Sequence, residues 1–115
     1  MVKSVVTEIG KNALGTDDII ILFNEEATES LKNFSVIQQV DSKSFNLSEG
    51  SQISFDEQIY NIVKVGTLAN KHLEELGHVT LVFKNPKETD ELVNALFLEP
   101  YTLPDIKEGT VITYK

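Results

Sequence analysis

Thr67-Leu68-Ala69-Asn70-Lys71-His72-Leu73-Glu74-Glu75-Leu76-Gly77-His78-Val79-Thr80-Leu81-Val82-Phe83 changes its hydrophobic period at a single glycine. Up to Leu76 the period is helical. Leu68, Ala69, His72, Leu73 and Leu76 fall within an arc of roughly 140°, and Asn70, Lys71, Glu74 and Glu75 cover the opposite one. Thr67 is placed to cap the N-terminus, and Gly77 is the residue type that ends a helix in the left-handed conformation. From His78 onward the period is two. Val79, Leu81 and Phe83 are expected to point inward, with His78, Thr80 and Val82 on the other face.

Short strands with frequent turn residues extend to both sides of this segment. Val2–Ile9, Asp18–Phe23 and Phe34–Val40 read as strands, with a turn-like link at Gly10–Gly15 and a short helix or turn within Ala27–Asn33. Gln52–Phe55 and Gln58–Val65 read as a hairpin through Asp56-Glu57. In the second arm the face carrying Ile59, Asn61, Val63 and Val65 is assigned as the more apolar. Leu92–Leu98 fits either helix or strand, and Thr110–Tyr114 closes the chain as a strand. The expectation is one domain over residues 1–115 and a mainly β fold. It would be a small closed β-barrel or compact sandwich of about seven short strands, with one helix near 67–76.

Composition removes several function classes. Of 115 residues, 41% are apolar and 24% charged, which suits a folded core rather than disorder. The net charge of −8 and the ten scattered basic residues, all lysines, give no basic footprint for nucleic acid. No run approaches about 18 apolar residues, so direct membrane insertion is not expected. The N-terminus lacks the pattern of a signal peptide, so a cytoplasmic location is the expectation. The absence of cysteine rules out a disulfide framework. With only two histidines beside it, a dedicated zinc site is not expected, and no cofactor-binding motif is present.

The two histidines are the residues with chemistry to offer, because an imidazole nitrogen accepts and releases a phosphoryl group near neutral pH. Read from the residues alone, His72 is either a packing residue of the helix's apolar arc or an acceptor. His78 is either a C-terminal helix cap or an acceptor at the mouth of a strand, with the Thr80 hydroxyl two residues on along the same face.

Glu75-Leu76-Gly77-His78-Val79-Thr80-Leu81-Val82-Phe83 resembles the ELGHVTLxF signature of the glucitol/sorbitol-specific IIA components of the phosphotransferase system. Val65-Gly66-Thr67-Leu68-Ala69, Phe34-Ser35-Val36-Ile37, the Leu47 and Gly50 positions and the closing Pro104–Ile112 are similar to that family as well, so the resemblance spans nearly the whole chain. It implies a small β-barrel that takes a phosphoryl group from the carrier HPr on a histidine. The group then passes to the IIB component, and the membrane IIC component imports and phosphorylates a hexitol.

The chain departs from the family pattern at one position. The family's phosphorylatable histidine is usually placed directly after the aromatic-x-x-Ile step, and here that position is Gln38, which cannot form a phosphoamidate. Either His78 is the general acceptor, or it serves in this chain alone, or this copy is a non-catalytic interaction or regulatory module. The acceptor is assigned to His78, the only histidine within the family pattern. Thr80 and Gln38 are then assigned to stabilise the phosphoryl group, and no metal is assigned.

Overall fold

The structure is a computed structural model and describes residues 1–14, 18–41, 44–86 and 93–115. Alternating side chains build eight strands: β1 (Val2–Ile9), β2 (Ile19–Phe23), β3 (Val36–Val40), β4 (Gln52–Phe55), β5 (Gln58–Val65), β6 (Val79–Val82), β7 (Ala95–Glu99) and β8 (Val111–Tyr114). Helix α1 (Glu29–Lys32) is a single turn capped by the Thr28 hydroxyl, which accepts from the Leu31 N–H at 3.3 Å; α2 (Ala69–Leu76) is the expected helix. The eighth strand comes from the ambiguous Leu92–Leu98 segment, whose Leu92 lies outside the described residues, as does Gly15 of the first link.

The strands close into a barrel in the order β1-β3-β2-β6-β7-β5-β4-β8. All neighbours are antiparallel except β2–β3 and β6–β7. Closure leaves no edge strand among the described residues. The interior is filled by side chains from every strand, including Val6, Leu22, Val36, Ile53, Phe55, Ile62, Leu81, Leu98, Ile112 and Tyr114. Phe55, Tyr60 and Phe83 meet in edge-on and tilted contacts, with ring centroids 5.2–6.5 Å apart. No helix of the described residues is long and apolar enough to cross a membrane.

Two local expectations are corrected. Thr67 does not cap α2. Leu68 holds the N-cap position with no side-chain bond, and its N–H is tied to the Val93 carbonyl at 2.9 Å. In β5 the inward face belongs to Tyr60 and Ile62, while Ile59 is 58% exposed. A bulge against β7 between Ile62 and Lys64 then shifts the phase. As a result Val65 packs on the core, and Val63 packs outside it with Val82, Ala95 and Phe97. The outward cluster makes both faces of the strand partly apolar, so alternation alone assigns the wrong one. In β6, Val79, Leu81 and Phe83 do enter the core, as the alternation predicts.

α2 lies against the barrel through Ala69 and Leu73, at one end of its apolar arc. The 44–47 segment holds its outer side. There, the Phe45 N–H donates to Glu74 Oε2 at 2.9 Å, the Leu47 N–H donates to Asn70 Oδ1 at 2.8 Å, and Asn70 Nδ2 donates back to the Leu47 carbonyl at 2.9 Å. The Asn24 N–H, just past β2, donates to the Leu76 carbonyl at 3.1 Å and fixes the C-terminus of α2, with His78 following it, against the end of β2.

Candidate functional site around the paired histidines

Gly77 makes the corner. Its φ of +57° is the left-handed conformation that glycine adopts without cost, and its N–H donates to the Leu73 carbonyl at 3.0 Å. A Cβ at this position would stand 2.8 Å from Asn24 Cβ, so the corner also needs the missing side chain. Gly77→Ala is therefore expected to lower unfolding stability by about 2–3 kcal/mol, part from the backbone conformation and part from the contact with Asn24. Urea unfolding at fixed pH measures it.

His78 leaves this corner on the outer face of the barrel. Its backbone N–H reaches the His72 carbonyl at 3.3 Å, which is helix capping by the main chain. The ring turns instead to β2. Nδ1 lies 2.9 Å from the Leu22 carbonyl oxygen, and the ring stacks on Phe23 with centroids 4.2 Å apart and planes 24° apart. Because a carbonyl only accepts, the hydrogen-bond network assigns the proton to Nδ1. The lone pair is then on Nε2, which makes no hydrogen bond among the described residues and is not among their sealed polar atoms. Burial holds the His78 pKa below the usual imidazole value; the Leu22 carbonyl opposes that shift, and the neighbouring His72 adds slightly to it. The site thus presents a neutral, oriented imidazole with one free nitrogen.

His72 lies beside it. The two imidazole planes are 18° from parallel, with centroids 6.4 Å apart. His72 Nδ1 is buried with no partner among the described residues. One helical turn to either side, Leu68 and Leu76 are exposed, as is Val93, whose carbonyl holds the Leu68 N–H. On the far side of the Gly77 corner, an open cleft is walled by Glu25, Glu26, Glu74 and Glu75.

The sequence-assigned residues are only partly brought together. Thr80 stands on the same outer face as His78, about 6.6 Å along the strand, between Ile21 of β2 and Ala95 of β7. Its hydroxyl makes no hydrogen bond among the described residues. Gln38 points the other way. It is 0% exposed, and its Oε1 accepts from the Ser4 hydroxyl at 2.6 Å and from the Tyr114 hydroxyl. Its Nε2 donates to the Gly77 carbonyl at 2.9 Å. These groups come from β3, β1 and β8, three neighbouring strands, and burial pushes the Tyr114 phenol well above its ordinary range. Gln38 therefore braces the corner from behind, at the wall of the cleft it shares with Gly77, Glu74 and Glu75, and apart from the outer face that carries His78. Sequence reasoning missed Leu22 and Phe23, which set the tautomer and seat of the ring; the pairing of β2 with β6 brings them there, and no motif marks it.

Comparison with known proteins agrees over the whole chain. Residues 1–113 match the family described as the PTS system glucitol/sorbitol-specific IIA component. The chain is 30% identical over 115 residues to the PTS system glucitol/sorbitol-specific EIIA component of Escherichia coli K12, covering 98% of this chain and 93% of that one. The component of the same name from Shigella flexneri matches over the same coverage at 30% identity. The crystal structure of the PTS system IIA component from Enterococcus faecalis V583 is 41% identical. It superposes with a TM-score of 0.93, covering 97% of this chain and 98% of that one.

Proposed function

The chain belongs to the family of glucitol/sorbitol-specific IIA components of the phosphotransferase system, and on that premise we propose that it carries the phosphoryl group on Nε2 of His78. It receives the group from HPr and delivers it to the IIB component that serves the membrane IIC component, as a protein of the cytoplasm. The observation that carries the assignment is the Leu22 carbonyl on Nδ1, because it leaves the opposite nitrogen unprotonated, and that nitrogen is not among the sealed polar atoms.

The transfer balances as an in-line displacement. The Nε2 lone pair attacks phosphorus while the N–P bond of the donor phosphohistidine breaks. That electron pair returns to the donor ring, whose other nitrogen already carries a proton, so the donor leaves as neutral imidazole. His78 keeps its Nδ1 proton on the Leu22 carbonyl and takes up the ring's positive charge. That carbonyl dipole stabilises the charge, and reversal of the same step hands the group onward. The protein supplies position and electrostatics rather than new covalent chemistry. Thr80 stands nearby with an unused hydroxyl to donate to a phosphoryl oxygen, and Gln38 contributes from behind by holding the Gly77 carbonyl.

Docking fits the surroundings. Leu68, Leu76 and Val93 give an apolar patch beside the rings, and Glu25, Glu26 and Glu75 give an acidic rim. An acidic rim selects a basic partner surface and speeds its encounter at low salt.

Incubation with enzyme I, HPr and phosphoenolpyruvate is expected to add about one acid-labile phosphate per chain, carried by the peptide containing His78. An unlabelled chain that still binds the IIB component would instead select a docking module. The pH dependence has a definite sign. Because the folded His78 pKa lies below the usual 6.5, the neutral nucleophile persists below that pH. The labelling rate should therefore fall with acid at a lower pH than the titration of a free imidazole would give. The same shift makes the unfolded state the better proton binder, so the His78 contribution to stability is full above pH 6.5 and is lost as pH drops through the folded value.

A further inference from the structure

Two imidazoles in parallel planes do not make two equivalent acceptors. His78 has its proton pinned on Nδ1 by the Leu22 carbonyl, which makes its Nε2 an acceptor. His72 has the opposite constraint. Its Nδ1 is buried with no partner among the described residues. A buried N–H without an acceptor is costlier than a bare lone pair, since orphaned donors are the rarer of the two in folded proteins. The proton of neutral His72 is therefore on Nε2, which is not among the sealed atoms. The pair then consists of one ring with a free lone pair and one ring with a free N–H, with centroids 6.4 Å apart.

We propose that His72 is a phosphoryl-binding residue, whose Nε2–H donates to an oxygen of the phosphoryl group carried on His78. This rests on the assignment of the cargo to His78. The gap between the rings is too long for a direct hydrogen bond between them, and it suits a tetrahedral phosphoryl group bonded to one ring and accepting from the other. A charge-assisted bond of about 2.7–2.9 Å would form only when the cargo is present. No proton moves in this contact. The N–P bond still breaks on the donor and forms on His78, and His72 gives up no proton. The bond also offsets the unfavourable field at the C-terminal end of α2, the negative end of the helix dipole. His72 reaches that place because it sits on the helical turn before the Gly77 corner, between the exposed Leu68 and Leu76.

The test uses the full chain with two donors, phosphorylated HPr and the small donor phosphoramidate, which needs no docking surface. His72→Gln returns an amide N–H near the Nε2 position, whereas His72→Asn places its amide near Nδ1. With both donors, His72→Ala and His72→Asn are expected to label about 100-fold more slowly than wild type. His72→Gln should recover most of the rate, with all variants melting cooperatively.

Equal rates for His72→Ala and wild type overturn the proposal, as does a Gln variant no faster than the Asn one. A defect seen with HPr but absent with phosphoramidate makes His72 a docking residue and also overturns it. If His78→Ala still takes label and His72→Ala does not, the cargo sits on His72, and the reading of His78 fails together with this one. If the wild type is labelled on His78 and only the His72 comparison fails, the carrier function stands without it.

Discussion

His78→Ala is expected to reduce phosphoryl incorporation by roughly 1,000-fold or more, to the level of a chain with no acceptor. The magnitude follows from the chemistry. The covalent intermediate needs a neutral nitrogen lone pair at the surface, and His72 is the only other imidazole in the chain. By the tautomer argument, its outward nitrogen carries a proton. The loss should not come from unfolding. The substitution removes one hydrogen bond to the Leu22 carbonyl and one ring stack on Phe23, together worth about 1–2 kcal/mol at a part-buried site. The variant should therefore melt cooperatively, a few degrees lower, while mass spectrometry under alkaline conditions finds no phosphoryl adduct. An adduct of wild-type yield on the variant would remove His78 from the role.

Gln38→Ala is expected to cost about 3–5 kcal/mol of unfolding free energy, the largest stability effect of any single change near the site. One side chain satisfies three buried groups: the Ser4 and Tyr114 hydroxyls and the Gly77 carbonyl. Its removal leaves all three unpaired around a new cavity in the barrel. Denaturant unfolding measures the loss, and a cost under about 1 kcal/mol would mean that water replaces the amide at little expense. A companion variant addresses the family pattern directly. His78→Ala combined with Gln38→His puts an imidazole where the family's histidine is usually placed, yet the combination should remain unlabelled. Position 38 is 0% exposed at the wall of the acidic cleft, where a phosphoryl dianion would meet the like charges of Glu25, Glu26, Glu74 and Glu75.

The segment from Thr67 to Phe83 was the most legible part of the chain. Its helix, its glycine corner and the inward set of β6 all follow from local periodicity, which the backbone enforces whatever surrounds it. The hairpin of β4 and β5 was legible for the same reason. The faces of β5 were not, because a bulge opposite β7 resets the alternation and a second apolar cluster forms outside the barrel. Thr67 had the right chemistry for a cap, but the Val93 carbonyl, which takes the Leu68 N–H, settles where the helix begins. The direction of Gln38 could not be read either. A glutamine in a short strand looks like a surface residue until Ser4 and Tyr114, 34 and 76 positions away in the chain, arrive beside it.

By itself, then, the sequence determined a β-rich chain, its one substantial helix, the glycine corner and the histidine that follows it, and through its motifs the family. These are properties of neighbouring residues, and neighbouring residues are coupled by bonds of fixed geometry. Barrel closure, its two parallel pairings, the proton position on His78 and the approach of His72 were decided only by tertiary structure. Each depends on groups brought together across strands, and those encounters are selected by the burial of the whole core rather than by any local preference.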